Sequence, residues 1–281
     1  MTVRKRFLSE GWYPADSSGA ARDLDSCVGA SVPPGEAIVP DAAAAVAPHA
    51  SWFYSGALAA AAVASLRRGA DTVVVFGGHL SERADPAMAE EDAFSTPFGP
   101  IAADAELRAA VGGLCRFVPD RGGDNTVEIQ LPLVRRFFPS AKVLWLRMPA
   151  SMASFELGMG IARIVRASGK SVVALGSTDL THYGPNYGFS PMGTGAEALR
   201  WVRGANDKRF LDALLAGNAA EALRRALDEG SACSPGAAVA AMGFALEMGC
   251  ARSRLLRYAT SADVSPASSF VGYAALSWSA G

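Results

Sequence analysis

The sequence has few charged residues and no long apolar run. Charged residues make up 19% of the 281 residues, and the formal net charge is −1. Because no basic surface is expected on such a chain, nucleic acid and anionic membranes are not expected partners. No stretch approaches the roughly 20 apolar residues that a membrane-spanning helix needs, so no membrane insertion is expected. The N-terminal segment MTVRKRFLSEGWYP carries positive charge with no apolar segment after it, and so predicts no signal peptide.

Cysteine is also scarce. Cys27, Cys115, Cys233 and Cys250 are widely spaced, with no CxxC pair and no compact disulfide framework. Scattered cysteines of this kind are typical of proteins in a reducing compartment. Since no signal peptide is expected either, the sequence predicts a cytoplasmic protein. We interpret Cys27, Cys115 and Cys250 as small buried hydrophobic residues, and Cys233 differently, as described below.

Half of the residues are hydrophobic, which suits a sheet covered by helices on both faces. Short apolar runs such as DTVVVFGGH, KVLWLRMP and SVVALGSTDLTHYG alternate with helix-like segments such as GALAAAAVASLRR and SFELGMGIARIVRAS. This alternation predicts βα units and a mainly parallel sheet.

The C-terminal segment has a different pattern. RSRLLRYATS and SSFVGYAALSW are two strand-like runs joined by the turn-rich ADVSPA, which predicts a hairpin. The sequence has no internal repeat and no low-complexity linker. We therefore expect one domain over residues 1–281, an α/β fold with a mainly parallel or mixed central sheet flanked by helices and a C-terminal hairpin. Nothing in the sequence determines the oligomeric state.

The chain has only three histidines, and each follows a predicted strand. His49 comes after the first apolar run, His79 after VVVFGG, and His182 after SVVALG, with Asp179 three residues before it. Ligands of open α/β sheets bind at the carboxyl ends of the strands. One histidine at a strand end is more often a structural hydrogen-bonding group, but three at one sheet edge predict a functional site.

Cys233 lies directly before a predicted helix that begins at Ser-Pro-Gly. Pro235 is well placed in the first helical turn, where its missing N–H costs nothing. The positive end of the helix dipole favours a thiolate, which is the form of cysteine that binds metals. Cys233 is therefore either a metal ligand or a small buried residue.

Two neutral imidazoles and one anionic ligand, with open positions beside them, form the pattern of non-haem iron sites. His49, His79 and Cys233 would provide that set, and the same set would also accept copper or zinc. Asp179 and His182, three residues apart, would add a further ligand and an acid/base group. The expected cofactor is a divalent metal, first of all iron.

The segment GGDNTVEIQLPLVRRFF reads as a loop followed by a helix. Asp124 or Asn125 can cap that helix, and Glu128 lies in its first turn, as helix starts prefer. Spacing alone does not decide whether these residues also line the site.

Several segments, taken in order, resemble the Memo family, whose bacterial and archaeal members are also called AmmeMemoRadiSam system protein B. They are SEGWYPAD, APHASWFYSG, VVVFGGH, STPFGPIAAD, DNTVEIQLPLV, GSTDLTHYG, CSPGAAVAAM and ATSADVS…SSFVGYAAL, and they span nearly the whole chain. The family is similar in fold to the class III (LigB-type) extradiol dioxygenases.

The resemblance implies a metal on the residues matching His49, His79 and Cys233. In the dioxygenases the third ligand is a glutamate, so Cys233 would be a softer replacement. By the same resemblance, His182 would be the acid/base residue beside the metal, with Asp179 in the matching segment. The family's bacterial members also imply a pathway link to radical-SAM and AMMECR1-type proteins.

The chain departs from the family pattern at three places. Ser51 and Trp52 follow Pro-His-Ala where the family has Gly-Tyr, and Phe-Gly-Gly precedes His79 where the family has Gly-Pro-Ser. Asp-Asn-Thr stands at 124–126 in place of Glu-His-Ser, so Asn125 replaces a histidine of the family's pocket. The resemblance therefore implies a divergent substrate pocket with the metal ligands retained.

Three functions fit these residues. The first is a metal-dependent, dioxygenase-like oxidoreductase acting on a small phenolic molecule, a substrate class taken from the dioxygenases by analogy. The second is a metal-binding protein without turnover, which handles copper or iron or acts in redox protection or signalling. The third is a zinc hydrolase with one open position for water, although no residue selects a scissile bond.

Overall fold

The computed structural model describes residues 1–32 and 37–281, and its strands form one large and one small sheet. The strands are β1 (Val3–Arg4), β2 (Ala42–Ala47), β3 (Thr72–Leu80), β4 (Ala87–Met88), β5 (Ala93–Phe94), β6 (Ile101–Ala102), β7 (Val118–Pro119), β8 (Lys142–Pro149), β9 (Val172–Ser177), β10 (His182–Tyr183), β11 (Arg252–Thr260) and β12 (Phe270–Ser279).

In the described residues, nine strands form the large sheet, in the order β10-β12-β2-β9-β3-β8-β4-β7, with β11 paired to β12. The four central strands β2, β9, β3 and β8 are parallel, whereas β12 is antiparallel to β2 and β4 is antiparallel to β8. The small sheet has the order β1-β5-β6. The mixed central sheet agrees with the expected fold class.

The helices are α1 (Ser17–Gly29), α2 (Trp52–Ser65), α3 (Ala105–Val111), α4 (Asn125–Glu128), α5 (Leu131–Phe137), α6 (Met152–Ser168), α7 (Ala196–Trp201), α8 (Asp207–Leu215), α9 (Ala219–Glu229) and α10 (Pro235–Glu247). One π-helical turn, Val202–Asn206, joins α7 to α8. Over residues 1–32 and 37–281, none of the helices is both long and apolar enough to cross a bilayer.

Both faces of the central strands are buried, so these strands are apolar at every position. On β3, Val73 and Val75 pack into a cluster with α1, α2 and α5, whereas Val74 and Phe76 pack with α6 and α8–α10 on the other face. This alternation follows from the two-residue period of a strand. Covering both faces leaves the carboxyl edge of the sheet as the place where the loops converge.

The predicted C-terminal hairpin is confirmed. β11 and β12 pair antiparallel from Arg252 opposite Ser279 to Thr260 opposite Gly272. β12 also pairs with β2 and β10, so it lies inside the sheet, and every residue of it is buried. The apolar run FVGYAALSW is therefore explained by burial within the chain.

Three local expectations need correction. β3 continues through His79 to Leu80, so this histidine lies in the strand and not beyond it. His182 lies in the short strand β10, which pairs with β12 and which two residues are too few to signal by periodicity. Cys115, in the turn after α3, is exposed, and Cys27, near the end of α1, is half-buried, so neither is the buried residue that was expected. Cys250 is buried as expected.

A buried carboxylate, Asp207 at the start of α8, links the segment before His182 to the hairpin. It accepts hydrogen bonds from the Thr181 backbone N–H at 3.1 Å, from the Thr181 hydroxyl and from the Tyr258 hydroxyl at 2.7 Å. A Cβ at position 272 of β12 would overlap this carboxylate, so Gly272 leaves the space that Asp207 occupies. Burial raises the pKa of Asp207 to about 6, although its hydrogen bonds favour the ionised form.

Asp207 should therefore make folding less favourable as the pH rises. Its pKa is about 6 in the folded chain and about 3.9 in an unfolded chain. Its contribution to the free energy of unfolding is therefore fully present below the unfolded pKa and is lost as the pH rises through the folded pKa. In urea unfolding, the stability of the wild type relative to Asp207→Asn should fall by about 2 kcal/mol between pH 4 and pH 7, because the carboxyl of the unfolded chain is already about half ionised at pH 4.

The exposed Asp212 on the same helix serves as control, since Asp212→Asn should track the wild type at every pH. A constant difference between wild type and Asp207→Asn over this pH range would contradict the assignment.

Candidate metal centre

Hydrogen bonds to its backbone hold His49 in place. The chain leaves β2 through Pro48, whose carbonyl accepts a hydrogen bond from Gln130 Nε2 at 2.7 Å. The His49 N–H donates to Asp179 Oδ1 at 2.7 Å, and its carbonyl accepts from Asn125 Nδ2 at 2.9 Å. With 1% of its surface exposed, His49 has its ring fixed at the carboxyl edge of the sheet.

His79 has a left-handed backbone, with φ 58°, the one such residue besides glycines in the described chain. This conformation costs a residue with a side chain free energy and is kept where the surroundings impose it. The His79 N–H donates to Ser234 Oγ at 3.2 Å, and the Gly78 N–H donates to Thr126 Oγ1 at 3.1 Å. A Cβ at Gly78 would overlap Ser234, so the glycine lets α10 approach the strand that presents His79.

Cys233 is positioned by the β9 edge and by the start of α10. Its N–H donates to the Asp179 carbonyl at 3.2 Å, and the next N–H, of Ser234, donates to Thr178 Oγ1 at 3.0 Å. These bonds place Sγ 3.2 Å from His49 Nε2. The predicted helix start at Pro235 is confirmed.

The three predicted ligands converge. One ligand atom each from His49, His79 and Cys233 lies within 4.8 Å of the others, and the two imidazole rings are 4.9 Å apart at 81°. Ligands at about 2.0–2.3 Å from one tetrahedral ion are themselves roughly 3–3.7 Å apart, so the His49–Cys233 separation already suits a shared ion. Two nitrogens and one sulphur are a donor set for iron, copper or zinc, and the residues fit a metal.

A carboxylate orients the His79 ring. Asp124 Oδ2 lies 2.9 Å from His79 Nδ1, which leaves Nε2 for the centre of the cluster. Asp124 also caps α4 by accepting from the Thr126 N–H at 2.9 Å, as the sequence predicted. Arg147 holds both ends of this unit, since it lies 3.2 Å from Asp124 and donates to the Gly78 carbonyl at 2.9 Å.

The charges of the cluster are mutually dependent. Burial alone raises the pKa of the Cys233 thiol, but the neighbouring His49, His182 and His79 lower it well below its ordinary value. Burial alone lowers the pKa of His79, but Asp124 and Cys233 raise it to about 10. Burial also raises the pKa of Asp124, yet His79 and its other partners lower it to about 2. Without a metal the stable form is thus a thiolate beside protonated imidazoles; thiolate is the form that binds metals, and a metal on the imidazoles would displace their protons.

Asp179 and His182 lie beside this cluster. Asp179 Oδ2 is 3.8 Å from both His49 Nε2 and His182 Nε2. His182 Nε2 is buried without a hydrogen-bond partner, and its ring packs 4.9 Å from that of Tyr187. Burial lowers the pKa of His182, but Asp179 and Cys233 raise it to about 10. All five residues singled out in the sequence therefore meet at one edge of the sheet.

A cavity of about 670 Å³ opens over the cluster. His49, His79, Asp179 and His182 line its floor. Its walls are aromatic, hydroxyl and amide side chains from several loops: Trp12, Tyr54, Asn125, Asn186, Tyr187 and Tyr273. A small molecule in this cavity would contact the candidate ligands directly.

Sequence reasoning missed two residues that position His79. The sequence predicts a helix cap at Asp124 or Asn125 and leaves open whether either lines the site, because spacing shows the capping role alone. Arg147 carries a usable signal, since it is a charge near the end of strand β8, which is otherwise apolar after the exposed Lys142 at its start. A buried charge of that kind needs partners, here Asp124 and the Gly78 carbonyl.

A family model and individual proteins that are similar in sequence to this chain all come from one family. A family model described as Memo-like protein matches residues 4–277. A MEMO1 family protein of Methanococcoides burtonii is 31% identical over 98% of this chain and 99% of its own length. One from Methanosarcina acetivorans is 31% identical over 98% and 99%, respectively.

A solved structure shares the fold. The crystal structure of an uncharacterized protein from Escherichia coli K12 matches 83% of this chain and 98% of its own, with a TM-score of 0.52 and 11% identity. At that identity the likeness shows the architecture alone.

If Asp124 orients a metal ligand, Asp124→Asn should weaken metal binding by about 10- to 100-fold, the range typical of lost partners of ligating histidines. Competition with a chromophoric chelator under anaerobic conditions measures this affinity. Asp85→Asn, a change at an exposed carboxylate paired with Arg116, should leave it unchanged. Equal affinities in all three proteins would show that Asp124 serves only as a cap.

Proposed function

The chain belongs to the Memo family, and from that premise we propose that it binds one metal ion and uses it to oxygenate a small phenolic molecule. His49, His79 and Cys233 hold the ion in this proposal. The observation that carries it is the convergence of these three ligands at one cavity, which His49, His79, Asp179 and His182 line. Such a grouping of perturbed titratable residues in a cleft is typical of catalytic sites.

A bound ferrous ion would supply a Lewis-acidic, redox-active centre with open positions for O₂ and for the oxygens of the substrate. Among residues 1–32 and 37–281, three ligands meet at the centre, which would leave the open positions that such enzymes require. Asp124 and Arg147 keep His79 aligned, and the backbone bond to Asp179 keeps His49 aligned.

His182 is the proposed acid/base residue. It lines the cavity, and in the metal-free chain Asp179 and Cys233 keep its ring protonated. A metal on Cys233 would remove one of these two causes, so that the ring could exchange a proton with a substrate hydroxyl. Asp179, at 3.8 Å, stabilises the imidazolium that forms. Tyr187 packs against the ring and limits its movement.

The proposed reaction balances without a further reductant. One O₂ is consumed per substrate, both oxygen atoms enter the product as one carbon–carbon bond of the ring breaks, and the ring supplies the electrons. The proton that His182 accepts returns to the product. Phenolic diols meet these requirements because two neighbouring oxygens can chelate one ion.

The sulphur ligand favours a second candidate function. Thiolate is a soft ligand that suits copper and redox chemistry better than a carboxylate does, and Cys233 lies among three imidazoles. A protein that holds copper or iron without turnover would need the same three ligands but no base. His182 and the cavity then have no assigned role, so we rank this function second.

Metal content tests the site itself. After anaerobic purification, mass spectrometry should find about one iron or copper ion per chain in the wild type. His49→Ala and Cys233→Ala should each lose it, because two ligands do not hold the ion. Cys115→Ser, which changes an exposed thiol, should retain it. Metal retained in both ligand variants would refute the site.

Turnover separates the two candidate functions. With iron bound, the wild type should consume O₂ in the presence of a catechol, and His182→Ala should retain the metal but lose at least 100-fold in rate, the contribution typical of a general base. An oxygen electrode measures both. Full iron occupancy with no O₂ consumption over a panel of catechols would favour the metal-handling function.

A further inference from the structure

The basic side chains among the described residues that line the cavity are the three histidines of the site. Among the described residues that line it, none is lysine or arginine, although 26 such residues occur in the chain. The only acidic residue of the lining is Asp179. A pocket built for a carboxylate or a phosphate normally presents an arginine or a lysine to it.

The nearby arginines have other partners. Arg147 lies behind His79, bound to Asp124 and to the Gly78 carbonyl. Arg203 pairs with Asp263 at 2.6 Å, away from the cavity lining. Recruiting either arginine to an anion would break an existing pair.

The metal centre offers little compensation. Its charged groups lie together at the floor of the cavity, where Asp179 is 3.8 Å from both His49 and His182. An anionic group further up the cavity would therefore lose its hydration without gaining a counter-charge.

The walls instead suit a flat, uncharged molecule. Four aromatic rings line them, from Trp12, Tyr54, Tyr187 and Tyr273. Burial, with Asp179 as a further cause, raises the pKa of Tyr187 and of Tyr273, so both remain neutral phenols. Hydroxyl and amide groups line the rest: Asn125, Asn186, Ser261, Ser265 and Ser269. Rings stack on aromatic faces, and neutral polar groups bind hydroxyls.

We infer that the substrate is an uncharged phenolic diol, with no carboxylate, sulphate or phosphate on its ring or side chain. This inference rests on the proposed function and specifies its substrate class. The absence of lysine and arginine from the described lining and the aromatic walls both point to the same ligand.

Two catechols of similar size test this inference. 4-Methylcatechol and 3,4-dihydroxybenzoate differ in that a carboxylate replaces a methyl group. Calorimetric titration of the iron-loaded protein without oxygen measures binding without turnover. The wild type should bind 4-methylcatechol at least tenfold more tightly, and equal or tighter binding of 3,4-dihydroxybenzoate would overturn the inference.

An added cation should change this preference. Ser265 lies on the exposed rim of the cavity, so Ser265→Arg should improve binding of 3,4-dihydroxybenzoate at least fivefold and leave 4-methylcatechol within twofold. Ser268→Arg is the matched control, an exposed position on the same loop outside the lining, and should change neither. No gain with Ser265→Arg would contradict the charge argument.

The outcomes separate this inference from the proposed function. Metal content, measured on the same samples, shows whether the centre is loaded. A chain that holds no metal refutes the proposed function. A loaded chain that prefers the carboxylated catechol refutes the substrate class alone. A loaded chain that binds neither catechol overturns the phenolic diol and leaves only metal binding.

Discussion

One buried residue, Asp179, connects the parts of the site. Its side chain accepts the His49 N–H, its backbone carbonyl accepts the Cys233 N–H, and its second carboxylate oxygen faces His182. These partners come from distant parts of the sequence, and a single residue just beyond β9 sets their spacing. A buried carboxylate without such partners would be costly, so the fold and the site stabilise each other.

Much of the architecture could be read from the sequence because long apolar strands carry a strong signal. The runs that form β2, β3, β8, β9 and the C-terminal hairpin stand out by length and flanking turns. The two-residue strands β4–β7 and β10 could not be found this way, since two residues have no period and form only because tertiary contacts select them.

The candidate site residues could be predicted from the sequence, but the residues that align them could not. The family resemblance and the strand ends both indicated His49, His79, Asp179 and His182, and the helix start indicated Cys233. The residues that align these groups were not visible, because hydrogen bonds such as that of Asp124 to His79 join segments about 45 positions apart. Contacts of this kind depend on packing, which a single sequence does not show.

Two of the sequence differences noted above lie next to one another in the structure. Asn125 donates to the His49 carbonyl and lines the cavity, so it gives the wall a neutral amide. Gly77 and Gly78 leave room for Thr126 and Ser234, respectively, beside the part of β3 that presents His79. The cavity wall and the support of His79 are therefore built from neighbouring residues.

The left-handed backbone at His79 carries a conformational cost that glycine would avoid. A residue with a side chain is destabilised by about 1–2 kcal/mol in this conformation, whereas glycine is hardly affected. Glycine would, however, lack the ring that Asp124 contacts at 2.9 Å and that lies among the candidate ligands. The position is therefore occupied for its side chain, against the preference of its own backbone.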